Sequence, residues 1–212
     1  MISFENIVVF GWEAAIRGMR NPLNSWNLSD SGKAHAGDGA FTVGPKDLAL
    51  MKSLRKGGPD HGKFMRMIDV TLDITAMQPW WFEFDTYKVG TVRNSCSKMH
   101  KIHVKPFVES DFEIEGISKI PYAYSAFGGL LKVLERLRQD FNRTQDRIYW
   151  RALIELLPEG FRMRATVKLN YEVLRAMYHA RKNHKLTEWH EFCRMVESLP
   201  YADELIVGGK KA

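Results

Sequence analysis

One stretch of the chain alternates apolar and polar residues with a strict period of two. Residues 64–76, taken as one strand, contain this pattern: Ile68, Val70, Leu72 and Ile74 alternate with Asp69, Thr71, Asp73 and Thr75. Successive side chains of a β-strand point to opposite faces of its sheet, so this pattern predicts a strand with one buried face. It is the clearest strand in the sequence, and any fold of the chain must provide a sheet that it can join.

The segments before this strand have mixed patterns. β-Branched and aromatic residues over residues 2–10 predict a strand, and helical spacing over residues 12–19 predicts a short helix. Residues 21–44 are rich in Asn, Ser, Gly and Asp, so we expect a long mobile loop there. A helix is predicted over residues 45–56, with a proline in its first turn and Gly57-Gly58-Pro59 after its end.

Helical spacing dominates the chain after the alternating strand. Pro79 permits a helix start through the aromatic residues that follow it. Four further helices are predicted, over residues 124–141, 145–157, 165–182 and 186–199. Their apolar stripes are typical of faces packed into a core rather than of cofactor sites.

Composition limits the broad class of the protein. The 212 residues, 45% of them apolar, are enough for one sizeable core, and we expect a single domain. Apolar runs are far shorter than the ~20 residues that a membrane span requires, so we expect no membrane partner and a cytoplasmic location. Cys96 and Cys193 are the only cysteines, which excludes a disulfide framework.

The charge balance favours anionic partners. A net charge of +6 and a pI near 9.3 suit nucleotides, nucleic acid or phosphorylated metabolites. The basic residues are spread along the chain without a block of five or six, which makes a dedicated nucleic-acid surface the less favoured alternative.

A polar segment, residues 80–103, concentrates the chemistry of an anion-binding turn. It contains cations and short hydrogen-bond donors: Lys88, Lys98 and Lys101, with Thr91, Asn94, Ser95 and Ser97. Gly90 allows a backbone to come close to a ligand. The segment is therefore typical of a nucleotide-binding turn, although the same residue types also cap helices and stabilise ordinary turns.

A metal site in this segment is a weaker hypothesis. Cys96, His100 and His103 have a spacing that could place three ligands on one ion. Since the spacing of the sequence offers no fourth ligand, we predict no metal.

The same segment resembles the motif of the flavin-dependent thymidylate synthases. That family carries Arg-His-Arg, seven or eight intervening residues and then Ser; here Thr86-Tyr87-Lys88, eight residues and then Ser97 occupy the same frame. Three further groups are similar to the family's Leu-Pro, Val-Asn and Gln-Trp landmarks in the same order: Leu156-Leu157-Pro158, Val167-Lys168-Leu169-Asn170 and Glu188-Trp189. The resemblance covers residues 63–199. If Arg93 is not an insertion, Cys96 rather than Ser97 takes the motif position.

The resemblance implies a fold, a cofactor and partners. The expected fold is α+β, with a central antiparallel sheet and a helical C-terminal half. The expected protein is a homotetramer that binds FAD and a pyrimidine nucleotide, dUMP, between its subunits. In that family reduced flavin passes a methylene group from methylene-tetrahydrofolate to the pyrimidine, with NADPH as the reductant. Because flavin and folate carry the chemistry, no catalytic side chain is assigned.

The resemblance also implies binding residues. Cofactor contacts are expected from Tyr87, Lys88, Thr91 and His61, and nucleotide contacts from Asn94, Ser95, Ser97, Lys98, Asn170 and Arg175. Of the Arg-His-Arg motif only Lys88 keeps a cation, and Glu172 stands where the family has a nucleotide-binding arginine. Arg175, one helical turn further, could compensate. These departures leave open an alternative, which is the same fold without synthase activity, acting as a nucleotide-binding or basic nucleic-acid-binding or assembly protein.

Overall fold

The fold is α+β, as expected from the resemblance. A computed structural model describes residues 1–33 and 41–208. Its strands are β1 (Ser3–Phe10), β2 (Gly32–Lys33), β3 (Phe41–Thr42), β4 (Asp69–Met77), β5 (Val92–Ser95) and β6 (Arg162–Asn170). Four of them form an antiparallel sheet in the order β1, β4, β6, β5, and β2 pairs with β3.

The helices lie between and after these strands. They are α1 (Trp12–Arg20), α2 (Pro45–Lys56), α3 (Gln78–Phe84), α4 (Lys98–Lys101), α5 (Glu115–Ser118), α6 (Pro121–Thr144), α7 (Arg147–Leu156), α8 (Tyr171–Arg181) and α9 (Thr187–Glu197). Short 3-10 turns cover Asn21–Leu23, Trp26–Leu28, Gly62–Met67 and Glu109–Asp111, and a π-helical turn covers Asp203–Val207. Within the two described ranges, no helix has both the length and the apolarity needed to cross a bilayer.

The described residues divide into two compact units, each with its own apolar cluster. Unit 1 takes in residues 1–3, 74–86 and 94–166, and unit 2 takes in the described parts of residues 4–73, 87–93 and 167–212. The unit 1 cluster is Ile102, Phe107, Phe112, Phe127, Leu134 and Leu153. Fully buried large side chains of unit 2 include Met51, Ile68, Leu72, Tyr171, Trp189 and Phe192.

The alternating pattern does form a strand, but it begins later than predicted. β4 starts at Asp69, and its residues are alternately buried and half-buried along its whole length. Residues 64–67, predicted as strand, belong to the 3-10 turn Gly62–Met67. Phe64 and Met65 are consecutive and both buried, which a strand with one covered face cannot achieve.

The prediction of a helix over residues 165–182 was wrong in its first part. Residues 165–170 belong to β6, where Ala165, Val167 and Leu169 are buried and the residues between them are exposed. That period of two is a strand signal. The helix begins at Tyr171, because the side chain of Asn170 accepts a hydrogen bond from the Val173 backbone N–H at 3.0 Å and caps α8.

The other predicted elements are confirmed within a few residues. β1, α1, α2, α3, α6, α7 and α9 match the strand and helices predicted from spacing. The expected loop over residues 21–44 contains two 3-10 turns and the β2–β3 pair, and its residues 34–40 lie outside the described residues.

A buried carboxylate joins α1, α2 and the chain between them. Asp47, on α2, is fully buried and forms an ion pair with Arg20 of α1 at 2.6 Å. Its other oxygen accepts from the hydroxyls of Ser29 and Ser31 at 2.7 and 2.6 Å, and from the Asp30 and Ser31 backbone N–H groups, both at 3.1 Å. A buried charge is tolerated only when it is paired and hydrogen-bonded, and Asp47 meets both conditions.

These contacts set the ionisation of Asp47. Burial alone would raise the pKa of its carboxyl, but hydrogen bonds from Ser31, Ser29 and Arg20, together with the charge of Arg20, lower the pKa below its ordinary value. A carboxyl with a lowered folded-state pKa contributes stability above its unfolded pKa, and that contribution is lost as the pH falls through the folded value.

Replacing Asp47 with Asn should therefore destabilise unit 2. D47N leaves Arg20 buried without its counterion, so we expect the free energy of unfolding to fall by about 3–5 kcal/mol in urea titrations at pH 7. The difference from the wild type should begin to narrow below about pH 4, where the carboxyl is protonated in the unfolded state, and should become smallest once the pH falls through the lowered pKa of the folded state.

The matched control makes the same chemical change at a carboxylate whose two arginine partners are exposed. Asp140 bonds Arg136 and Arg143, whose side chains are 77% and 71% exposed. D140N should change stability far less. Equal losses in the two variants would contradict the role assigned to Asp47.

Candidate functional site

The polar segment that resembles the synthase motif is only partly a turn. Residues 85–91 connect α3 to β5, whereas Val92–Ser95 form a strand, which corrects the expectation of one continuous turn. β5 lies beside β6 in the sheet, and the Cys96 backbone N–H donates to the Arg164 carbonyl at 3.0 Å. Because residues 165–170 of the partner strand were predicted to be helical, this pairing was not predicted.

Tyr87, a predicted cofactor contact, is held by its own chain in unit 2. Arg181 Nε donates a hydrogen bond to the Tyr87 hydroxyl at 2.9 Å. The guanidinium carbon lies 5.5 Å from the Tyr87 ring centroid and 4.9 Å from that of Trp189, within cation–π range of both. Since 94 residues separate Tyr87 from Arg181, local spacing could not indicate the pair.

The turn that follows Tyr87 packs against the start of α8. Thr91 Oγ1 donates to the Tyr87 carbonyl at 2.5 Å. Gly90 has φ +81°, and a Cβ there would lie 3.0 Å from Val173 Cγ2 and 3.2 Å from Asn170 Nδ2. The close approach that Gly90 permits is thus to the chain itself, and it brings Thr91 and Asn170 into one region of unit 2.

The predicted nucleotide contacts of unit 1 lie along β5 and the first turn of α4. Asn94, Ser95 and Ser97 are exposed. Ser97 caps α4, because its hydroxyl accepts from the His100 backbone N–H at 3.2 Å. Lys98 Nζ donates to Gln78 Oε1 at 2.7 Å. Ser97 is therefore a helix cap, as its residue type allowed. Because its hydroxyl only accepts in this bond, it can still donate a hydrogen bond to a ligand.

A cavity of about 780 Å³ in unit 2 includes His61 in its lining. Its apolar lining comprises Met19, Leu50, Leu54, Phe64 and Met67, and its polar lining includes Asp60, His61, Lys63 and Arg66. A mainly apolar cavity of this size with a few polar groups is the usual form of a small-molecule site. Spacing alone did not indicate Lys63 and Arg66, because Lys63 directly precedes the predicted strand and Arg66 was counted as part of it.

Charge is partly neutralised beside this cavity. Arg66 pairs with Glu172 of α8, and its Nη2 donates to Glu172 Oε1 at 3.1 Å. The acid that replaces the family's arginine therefore has its own counterion. Lys88 is exposed, and Arg175 lies close enough to Arg55 of α2 for their charges to interact.

Cys96, His100 and His103, all among the described residues, do not come together as a metal centre. Within residues 1–33 and 41–208, no group of three or more His, Cys, Asp or Glu side chains could hold an ion. Cys96 is exposed, whereas Cys193 is buried. The His103 ring packs edge-on against Phe141 at 5.0 Å.

Alanine at Gly90 should be costly for two separable reasons. The positive φ costs an L-residue about 1–2 kcal/mol, and the contacts with Val173 and Asn170 should add about 1–3 kcal/mol. Gly58 is the matched control, since it has φ +96° and its Cβ would meet nothing within 4 Å. G90A should therefore lower the urea midpoint more than G58A, and equal shifts would rule out the close approach.

Comparison with known proteins identifies the fold. No protein-family model matches the chain, and no curated protein matches it. Two crystal structures from Helicobacter pylori are similar. One is flavin-dependent thymidylate synthase complexed with FAD and dUMP, at 15% identity and TM-score 0.69, covering 98% of this chain and 100% of that one. The other is thymidylate synthase X with FAD and dUMP, at 13% identity and TM-score 0.70, covering 98% of each chain. The chain therefore has a flavin-dependent thymidylate synthase-like fold.

Proposed function

We propose that this protein is a divergent flavin-dependent thymidylate synthase-like protein that binds FAD and dUMP or a related pyrimidine nucleotide. The observation that carries the proposal is the fold likeness, which extends over 98% of the chain to two structures solved with FAD and dUMP. The net charge of +6 is consistent with phosphorylated ligands.

The residues of unit 2 fit the general chemistry of such ligands. The apolar lining of the 780 Å³ cavity suits a planar ring system, and its Lys63 and Arg66 suit a phosphate. His61, in the same lining, and exposed Lys88 are the cofactor contacts that we propose on this basis. When bound, FAD would supply the redox chemistry, with methylene-tetrahydrofolate and NADPH as co-substrates.

Other residues would orient the ligands rather than react. Arg181 fixes the Tyr87 ring, so Tyr87 would present one edge in a constant position. Asn94, Ser95 and Ser97 are exposed and carry short donors for a nucleotide. We further propose a homotetramer in which a second copy completes the ligand site.

A second candidate keeps the fold without synthase activity. Specific contacts favour it: Thr86 donates to the Glu83 carbonyl at 2.7 Å, Tyr87 is bonded to Arg181, and Glu172 is paired with Arg66. The motif positions that would hold a nucleotide through arginines are thus engaged with the chain itself. Such a protein would bind a nucleotide, or a nucleic acid with a steep salt dependence, without making thymidylate.

The absorbance spectrum of the freshly purified protein tests the first candidate. We expect oxidised-flavin bands, a tetramer-sized mass by light scattering, saturable binding of dUMP in calorimetry, and thymidylate formation with folate and NADPH. Protein that stays colourless after incubation with FAD and binds no dUMP would refute the proposal. Flavin and nucleotide binding without product would favour the second candidate, and salt-sensitive oligonucleotide binding would identify its nucleic-acid form.

Two variants of Ser97 separate capping from ligand contact. S97A removes the cap and should cost about 1 kcal/mol of stability, whereas S97N keeps a capping side chain. If Ser97 contacts the nucleotide, both variants should weaken dUMP binding in calorimetry by at least about fivefold, which corresponds to the ~1 kcal/mol of a typical hydrogen bond. S97N with wild-type affinity would restrict Ser97 to its capping role.

A further inference from the structure

Three basic side chains meet where α2, α8 and the C-terminal π-helical turn come together in unit 2. Arg55 lies in the last turn of α2, and Arg175 and His179 lie one helical turn apart on α8. The Ile206 carbonyl accepts a hydrogen bond from Arg55 Nη2 at 3.3 Å and lies 3.1 Å from His179 Nε2. A single carbonyl oxygen thus holds a guanidinium and an imidazole side by side.

The charges in this cluster act against one another. Burial and then the charge of Arg175 lower the pKa of Arg55 below its ordinary value. For His179, burial lowers the pKa, the hydrogen bond to Ile206 opposes this, and Arg175, Lys182 and Arg55 lower it further. The charged side chains that shift these two pKa values are therefore cations, and an anion would relieve their repulsion.

Two donors of the cluster are also unsatisfied. Among the described residues, the Nε atoms of Arg55 and Arg175 are buried and have no hydrogen-bond partner. A buried donor on a charged group is costly to leave unpaired, so such atoms call for an explanation. A tetrahedral oxyanion would offer both acceptors and the missing charge, and arginine is the side chain best suited to it.

We propose that Arg55, Arg175 and His179 bind a phosphate group, either as inorganic phosphate or as part of a nucleotide. Although the His179 ring is partly buried, the residue lies at the surface, so an ion can reach the cluster from solvent. The proposal uses Arg175 with Arg55 and does not need the motif segment. It also stands apart from flavin binding, because none of its evidence involves the cavity or Tyr87.

Phosphate binding is measured on the full-length protein by calorimetry and thermal unfolding, with chloride exchanged for phosphate at constant ionic strength. We expect one saturable site and a phosphate-dependent rise in Tm in the wild type. R55Q and R175Q should each lower phosphate affinity at least about tenfold, the loss expected for a charge-assisted hydrogen bond. R175K keeps the positive charge but loses the bidentate hydrogen-bonding geometry of a guanidinium. It should therefore fold normally and bind phosphate with intermediate affinity.

The control is R136Q, which makes the same charge change at a side chain 77% exposed on α6. It should bind phosphate like the wild type. A wild type without saturable phosphate binding, or R55Q and R175Q with wild-type affinity, would overturn the proposal.

Competition identifies the source of the phosphate. If dUMP displaces phosphate and deoxyuridine does not, the site takes the nucleotide's phosphate; if dUMP leaves phosphate binding unchanged, it takes the free ion. Failure of the proposed function is recognised separately, because a protein that never acquires flavin absorbance can still bind phosphate through Arg55 and Arg175.

Discussion

The N-terminal part of unit 2 depends on one buried charge. Asp47 satisfies an arginine, two serine hydroxyls and two backbone N–H groups, and it does so from inside α2. These donors come from α1 and from residues 29–31, which have little apolar side chain to bury. A hydrophobic residue at position 47 could hold α1 by packing, but it could not fix residues 29–31. The carboxylate therefore specifies the path of the chain there.

Local patterns predicted most helices and the central strand, because those signals depend on neighbours a few residues apart. β4 was visible in the alternation of Val70, Leu72 and Ile74, and α2 was visible between Pro45 and Gly57. β6 was missed although Ala165, Val167 and Leu169 also alternate, because the helical pattern beyond Asn170 was extended backwards over it. Because β6 was not predicted, β5 was not predicted either. β5 is short and polar, and it forms a strand by pairing with β6.

The candidate site was less predictable than the fold for the same reason. The sequence indicated which residue types could bind a ligand, but the side chains that these residues contact lie far away along the chain. Arg181 reaches Tyr87 across 94 residues, and Arg66 reaches Glu172 across 106. Gly90 was expected to approach a ligand, and its near neighbours are Asn170 and Val173. Pairings of this kind depend on the tertiary structure, so they cannot be predicted from the local pattern of a single sequence.

The two cysteines lie in different environments, and this difference allows one of them to be labelled selectively. Burial raises the pKa of Cys193 to about 11, so its sulfur is both inaccessible and protonated at neutral pH. Cys96 is exposed, directly after β5 and one residue before Ser97. A thiol reagent applied to the folded protein should therefore modify Cys96 alone. A fluorophore or spin label attached there would sit within the motif segment and report on whatever approaches it, without any engineering of the chain.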